Sequence, residues 1–168
     1  MNLSFRTTFP EELEIIGGKP THFVNQIAAS LKIVTGDYLP AEYCPPDFNV
    51  VEEMGNGIKH HTIRQDKKNS WKAGNDIHFI INNRTPKRFQ FAPIVPCVST
   101  QIIAIYHNID KSDFQIADPS VHVDNRNLKS LEIRRLAIND GFTSVVEFFA
   151  YFHKDFTGKI IHWTNLNY

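Results

Sequence analysis

Apolar positions along the chain follow two different patterns, and each predicts a different kind of element. Phe23, Ile27 and Leu31 recur every fourth residue and Pro20 suits a first helical turn, so the spacing predicts an amphipathic helix over 20–33. Gly17-Gly18 marks the loop before it. Residues 36–57 hold Pro40, Pro45, Pro46, Gly55 and Gly57 and read as a long connection. The middle changes character: Ile77 to Ile81, Arg88 to Phe91 and Thr100 to Tyr106 are β-branched and aromatic runs bounded by Asn, Gly and Pro, which predicts strands. Asn82 to Pro86 is a turn between the first two. Phe114-Gln115-Ile116 and Val121-His122-Val123 read as two further short strands.

The last third returns to a helical period. Leu128 to Asn139 predicts a helix with Gly141 just past its end. Ser144 followed by Glu147 is a capping-box pattern for another helix. Val145, Phe148, Phe149, Phe152 and Phe156 then form an apolar stripe that belongs in the core, with Gly158 ending that helix. Lys159 to Thr164 reads as a closing strand. Strands, a helical pair and a last strand predict an α+β chain built on a small, mostly antiparallel barrel or sheet. The division expected is an N-terminal extension with one helix over 1–50 and the main domain over 51–168.

Composition bounds the classes. The 168 residues are 42% apolar and 21% charged, as in an ordinary globular chain. The longest apolar runs, such as Ile102 to Tyr106, are far too short to span a bilayer, and Met1 to Phe9 carries no secretory pattern. Cys44 and Cys97 lack any paired-cysteine spacing, so free thiols in a reducing compartment are expected. The expectation is a cytoplasmic protein without membrane contact.

Charge is balanced overall, with 18 basic and 18 acidic residues, which argues against a polycation that coats nucleic acid. Its distribution is uneven. Residues 1–53 carry three basic against eight acidic side chains, and residues 89–168 carry seven against eight. Residues 57–88 carry eight basic against two acidic and so hold all the positive excess. That stretch is either a solvated hairpin or a surface that faces phosphate or nucleotide.

The chemistry concentrates at its start. Gly57-Ile58-Lys59-His60-His61-Thr62-Ile63-Arg64 brings a Lys, a Thr and an Arg within six positions after a glycine turn. On a regular strand His60, Thr62 and Arg64 share one face and Lys59 points to the other. Lys59 and Thr62 converge only if the backbone is still turning at Gly57 to Lys59, which the Gly55-Asn56-Gly57 run permits. Downstream, Trp71 and Lys72 suit a base stacked over a phosphate groove, or Trp71 caps one end of the barrel. Asn82, Asn83 and Arg84 either read a base edge or make the hairpin turn. The eight histidines include no H-E-x-x-H pattern, so no metal is expected, and no nucleotide-cradling glycine loop or nucleophile elbow is present. No cofactor is implied.

The pattern G-x-K-x-x-T-I-R, followed by Asp66, a loop and Trp71-Lys72-Ala73-Gly74 opening a strand, resembles the ASCH domain over residues 50–164. The resemblance implies a PUA-like β-barrel and binding of RNA or nucleotide. Within that family the segment is most similar to the small bacterial N4-acetylcytidine amidohydrolases, in which the motif Lys, the Thr three positions on and a later glutamate are catalytic. Carried over, these are Lys59, Thr62 and, in place of the glutamate, Asp140 ahead of the last helix. An aspartate is one methylene shorter, so its carboxylate is expected to sit about an ångström further back.

The first expectation is therefore a binding module for RNA or a small nucleoside or nucleotide. Its cleft is lined by Lys59, Thr62 and Arg64, with His60, Trp71, Lys72 and Asn83 contributing. The alternative is an amidohydrolase in which Thr62 attacks, Lys59 takes its proton and Asp140 manages the proton on the leaving amine. Such a lysine needs a pKa lowered by burial or by a neighbouring cation such as Arg64. The first 35 residues either cover the cleft or pack against the domain.

Overall fold

The computed structural model describes residues 1–33, 39–45, 57–107 and 119–168. The strand expected at Phe114-Gln115-Ile116, most of the connection over 36–57 and the division near residue 50 lie outside the described residues.

The fold is α+β, and the described residues form three α-helices and nine mostly antiparallel strands. Strand β3 (Asp76–Ile81) is the centre of the first sheet: β1 (Asn2–Phe5) runs parallel along one edge and β4 (Phe89–Gln90) antiparallel along the other. Strand β5 (Val95–Pro96) pairs with its first two residues. The second sheet is antiparallel throughout, ordered β2 (His61–Arg64), β9 (Phe156–His162), β6 (Ser99–Tyr106), β7 (Ser120–Val123), β8 (Arg126–Asn127). Among the described residues the ladders form these two sheets and no closed barrel. Where β1 and β2 approach each other, the bridge is a side chain: Arg64 Nη2 donates to Ser4 O at 2.7 Å.

The strands over 77–81, 100–106 and 121–123 appear where the sequence places them. In β6 the pleat sorts its apolar run, with Ile103 and Ile105 buried and Ile102 at 61% exposure. Asn82 to Pro86 is the expected turn: Asn82 and Arg84 have positive φ, and Asn82 O accepts from Thr85 N–H.

Helix α1 (Phe23–Ser30) begins later than its apolar spacing suggests. Pro20 is held in a bridge to Thr8, and the helix opens only after His22 takes a left-handed conformation. Helix α2 (Ser130–Asn139) closes at Asp140, with Gly141 at φ 91° just beyond. Helix α3 (Val145–Tyr151) has the predicted cap, Ser144 Oγ accepting from Glu147 N–H at 3.2 Å.

The end of α3 is a correction. The helix stops at Phe152, so Phe156 and Gly158 lie inside β9 rather than in the helix or at its end. A Cβ on Gly158 would strike the carbonyl oxygen of Arg64 in neighbouring β2. The glycine thus permits close strand approach and does not cap a helix.

Residues 1–33 contain strand β1 as well as the expected helix, and both enter the core. Leu3, Phe5, Phe9, Phe23, Val24 and Ile27 are all buried in the same cluster as Phe79, Ile160 and Phe148. No helix among the described residues is long and apolar enough to cross a membrane.

Candidate active site

Lys59 is the most enclosed charged residue of the motif, at 1% exposure. It precedes β2, on backbone that leaves Gly57 at φ 86° and has not yet become strand. Two backbone bonds hold this approach: Lys59 N–H donates to Gln26 O at 3.2 Å, and His60 N–H donates to Asn139 O at 2.8 Å. One anchor comes from α1 and the other from the end of α2. Lys59 Nζ donates to the carboxylate Oδ1 of Asp140 at 2.7 Å and also to the Asp140 carbonyl oxygen.

Asp140 reaches this position as the residue that terminates α2, its N–H donating to Leu136 O at 2.9 Å. The helix end brings this shorter side chain into direct contact with Lys59.

Gly141 makes that turn possible. A Cβ there would collide with Gln26 Oε1 and press on the Phe23 ring, at a φ that other residues reach only with strain. Gly141→Ala is therefore expected to cost at least about 2 kcal/mol and to displace Asp140. Denaturant titration beside the wild type checks it, and an unchanged midpoint refutes it.

Beneath the cations lies an aromatic floor that the motif did not announce. Lys59 Nζ sits 4.3 Å from the Phe23 ring centroid and the Arg64 guanidinium 4.9 Å from that of Phe5. The two rings meet edge to face at 6.4 Å. Residues of β1 and α1 thus build part of the site.

Burial dominates the electrostatics. It lowers the Lys59 pKa to about 8; Asp140 opposes that shift, and Arg64 adds a smaller push downward. Burial raises the Asp140 carboxyl, against the pull of Lys59, Arg64 and the Ile63 N–H. The lowered lysine matches what nucleophile activation requires. Thr62 is 3% exposed on β2, paired with Ile161 of β9.

Sequence reasoning missed the histidine pair behind this centre. His61 and His162 face each other across β2 and β9, both fully buried, with ring centroids 5.2 Å apart. His61 Nε2 stands 4.0 Å from Asp140 Oδ1. None of the four ring nitrogens has a hydrogen-bond partner among the described residues. No spacing along the chain links two histidines so far apart; antiparallel register alone does it.

Burial pushes His61 well below its usual range, helped by His162 and Lys59, and pushes His162 to about 4. Both rings are neutral in the fold at pH 5 to 6 while the unfolded chain binds protons there, so stability falls as pH drops from about 6.5 to 4. His162 alone accounts for about 3 kcal/mol across that window. The raised carboxyl of Asp140 acts in the opposite sense. Denaturation at pH 7, 5.5 and 4.5 is expected to show this loss, and His61→Gln with His162→Gln to flatten it. A wild-type profile already flat refutes the account.

The other candidates do not converge on Lys59. Trp71 is 7% exposed within the core cluster, with its carbonyl accepting from Lys159 Nζ at 2.6 Å. This is the packing alternative, and it leaves no indole face for a base. Lys72 is exposed in a turn whose N–H donates to Asn75 Oδ1 at 2.8 Å, and Asn83 is half-buried in the turn after β3. His60 is half-buried on the approach to β2. A hollow of about 270 Å³ lies beside that turn, lined by Pro45, Asn82, Lys87, Arg88 and Phe89, and not at Lys59. Among the described residues no group of three or more His, Cys, Asp or Glu is arranged to hold a metal.

Comparison with family models, with curated proteins and with solved structures gives no match to this chain.

Proposed function

We propose that this chain is an ASCH-like protein of the PUA-like class, cytoplasmic, whose Lys59–Thr62–Asp140 centre hydrolyses a small amide of the N4-acetylcytidine type. The observation that carries the reading is the buried contact between Lys59 Nζ and Asp140 Oδ1 at 2.7 Å. These are two of the three positions that the motif resemblance pairs, and they lie 81 residues apart along the chain.

In this reading the Thr62 hydroxyl attacks the acyl carbon and gives its proton to neutral Lys59. Asp140 stabilises the ammonium so formed. The acyl C–N bond then breaks, and the departing amine takes the proton from Lys59. Water next attacks the acyl-threonine, losing a proton to Lys59; the acyl C–O bond breaks, Thr62 takes that proton back, and the acid is released. Backbone N–H groups are the donors for the oxyanion.

Because Lys59 acts in its neutral form, the rate is expected to rise with pH through about 8. Incubation with N4-acetylcytidine, followed by mass spectrometry, is expected to show deacetylation that Lys59→Ala and Thr62→Ala abolish. Binding of nucleoside or short RNA without turnover overturns hydrolysis.

That outcome would leave the binding-module reading, which the exposed Lys67, Lys68, Lys72, Arg84, Lys87 and Arg88 favour. Its mark is an affinity for RNA that falls with salt at about −0.7 per phosphate neutralised.

A further inference from the structure

Among the described residues, the site carries more positive charge than its carboxylates balance. Lys59 and Arg64 face one carboxylate, Asp140, while His61 and His162 lie behind it as buried, uncharged rings. Lys59 takes that carboxylate directly. Arg64 has no carboxylate partner within salt-bridge distance among the described residues, although it lies close enough to Asp140 to influence it.

Its donors are underused as well. A guanidinium offers five N–H groups. Nη2 donates to the Ser4 carbonyl, and the buried Nε has no partner among the described residues. The side chain is half-buried at the seam between β1 and β2, which belong to different sheets, with the Phe5 ring 4.9 Å below its carbon centre. A planar fork held over an aromatic ring, with donors to spare and one replaceable bond to a neutral carbonyl, suits two oxygens of an anion.

We propose that Arg64 is a specificity residue that selects a ligand bearing a phosphate monoester, exchanging its bond to Ser4 O for bonds to the phosphate at the β1–β2 seam. The proposal rests on the nucleoside reading above and narrows it from free nucleosides to nucleoside monophosphates. Position supports this role. Arg64 is half-buried toward the rim, while Lys59, Thr62 and Asp140 are all at 3% exposure or less. An anchor at the rim orients a ligand without entering the reacting centre.

Calorimetric titration with three probes tests it: cytidine, cytidine 5′-monophosphate and inorganic phosphate. The monophosphate is expected to bind the wild type at least tenfold more tightly than cytidine. Arg64→Met is expected to bring that ratio to about one while leaving cytidine binding in place. Arg64→Gln serves as a second variant, and melting curves of both confirm that they fold. Equal affinities in the wild type overturn the proposal, as does a preference that survives both substitutions. Phosphate bound by the wild type and lost in Arg64→Met, with neither nucleoside bound, sinks the nucleoside reading and keeps the anion site. Cytidine bound with no gain from phosphate does the reverse.

Discussion

Asp140→Ala is expected to destabilise the protein by about 3–5 kcal/mol, because it strands the ammonium of Lys59 in a place without water. Lys59 is 1% exposed and its charge is met by one carboxylate and one carbonyl. Removing the carboxylate leaves the desolvation cost with little to offset it. The lysine then loses its proton far more readily, so the loss is expected to be larger at pH 6 than at pH 9. Replacing both partners, with Lys59→Met and Asp140→Leu together, is expected to cost much less than the single change, and equality of the two would refute the paired-charge account. Asp140→Glu is expected to lower activity rather than improve it. The aspartate already touches Lys59 at 2.7 Å, and a further methylene has to displace it.

Deletion of residues 1–35 is expected to abolish cooperative folding altogether. It removes β1, which is paired along four residues of central β3, and α1, whose Phe23, Val24, Ile27 and Ala28 are buried. Leu3, Phe5, Phe9, Leu13 and Ile16 leave the core with them. Each large apolar side chain contributes about 1.5–3 kcal/mol when buried, so the sum exceeds the whole stability of an ordinary domain. Circular dichroism and a thermal melt of the truncated chain decide the matter. A truncated protein that melts cooperatively and differs only in ligand affinity would restore the idea of a cover over a finished domain.

Much of the secondary structure was legible because periodicity is a local property. The β3, β6 and β7 runs and the second helix announce themselves by residue type and spacing, and Gly141 and Ser144 mark ends that the structure keeps. Strand β1 escaped notice because Asn2-Leu3-Ser4-Phe5 is only four residues long and stands alone. The end of α3 was misplaced because Phe156 continues the helical spacing of Phe148 and Phe152 by coincidence, while Gly158 serves a neighbouring strand and not a helix end.

By itself the chain's order determined which residues carry reactive groups and that Lys59, Thr62 and Arg64 leave a glycine turn together. It also determined that the Lys59 amine would need burial or a neighbouring cation such as Arg64 to act as a base. Tertiary structure alone decided what that setting is: the Phe5 and Phe23 rings below, the Asp140 carboxylate at the end of α2, and the His61–His162 pair behind. The reason is that desolvation and ion pairing depend on distances through space. Those distances are set by strand register and helix ends that bring together residues remote along the chain.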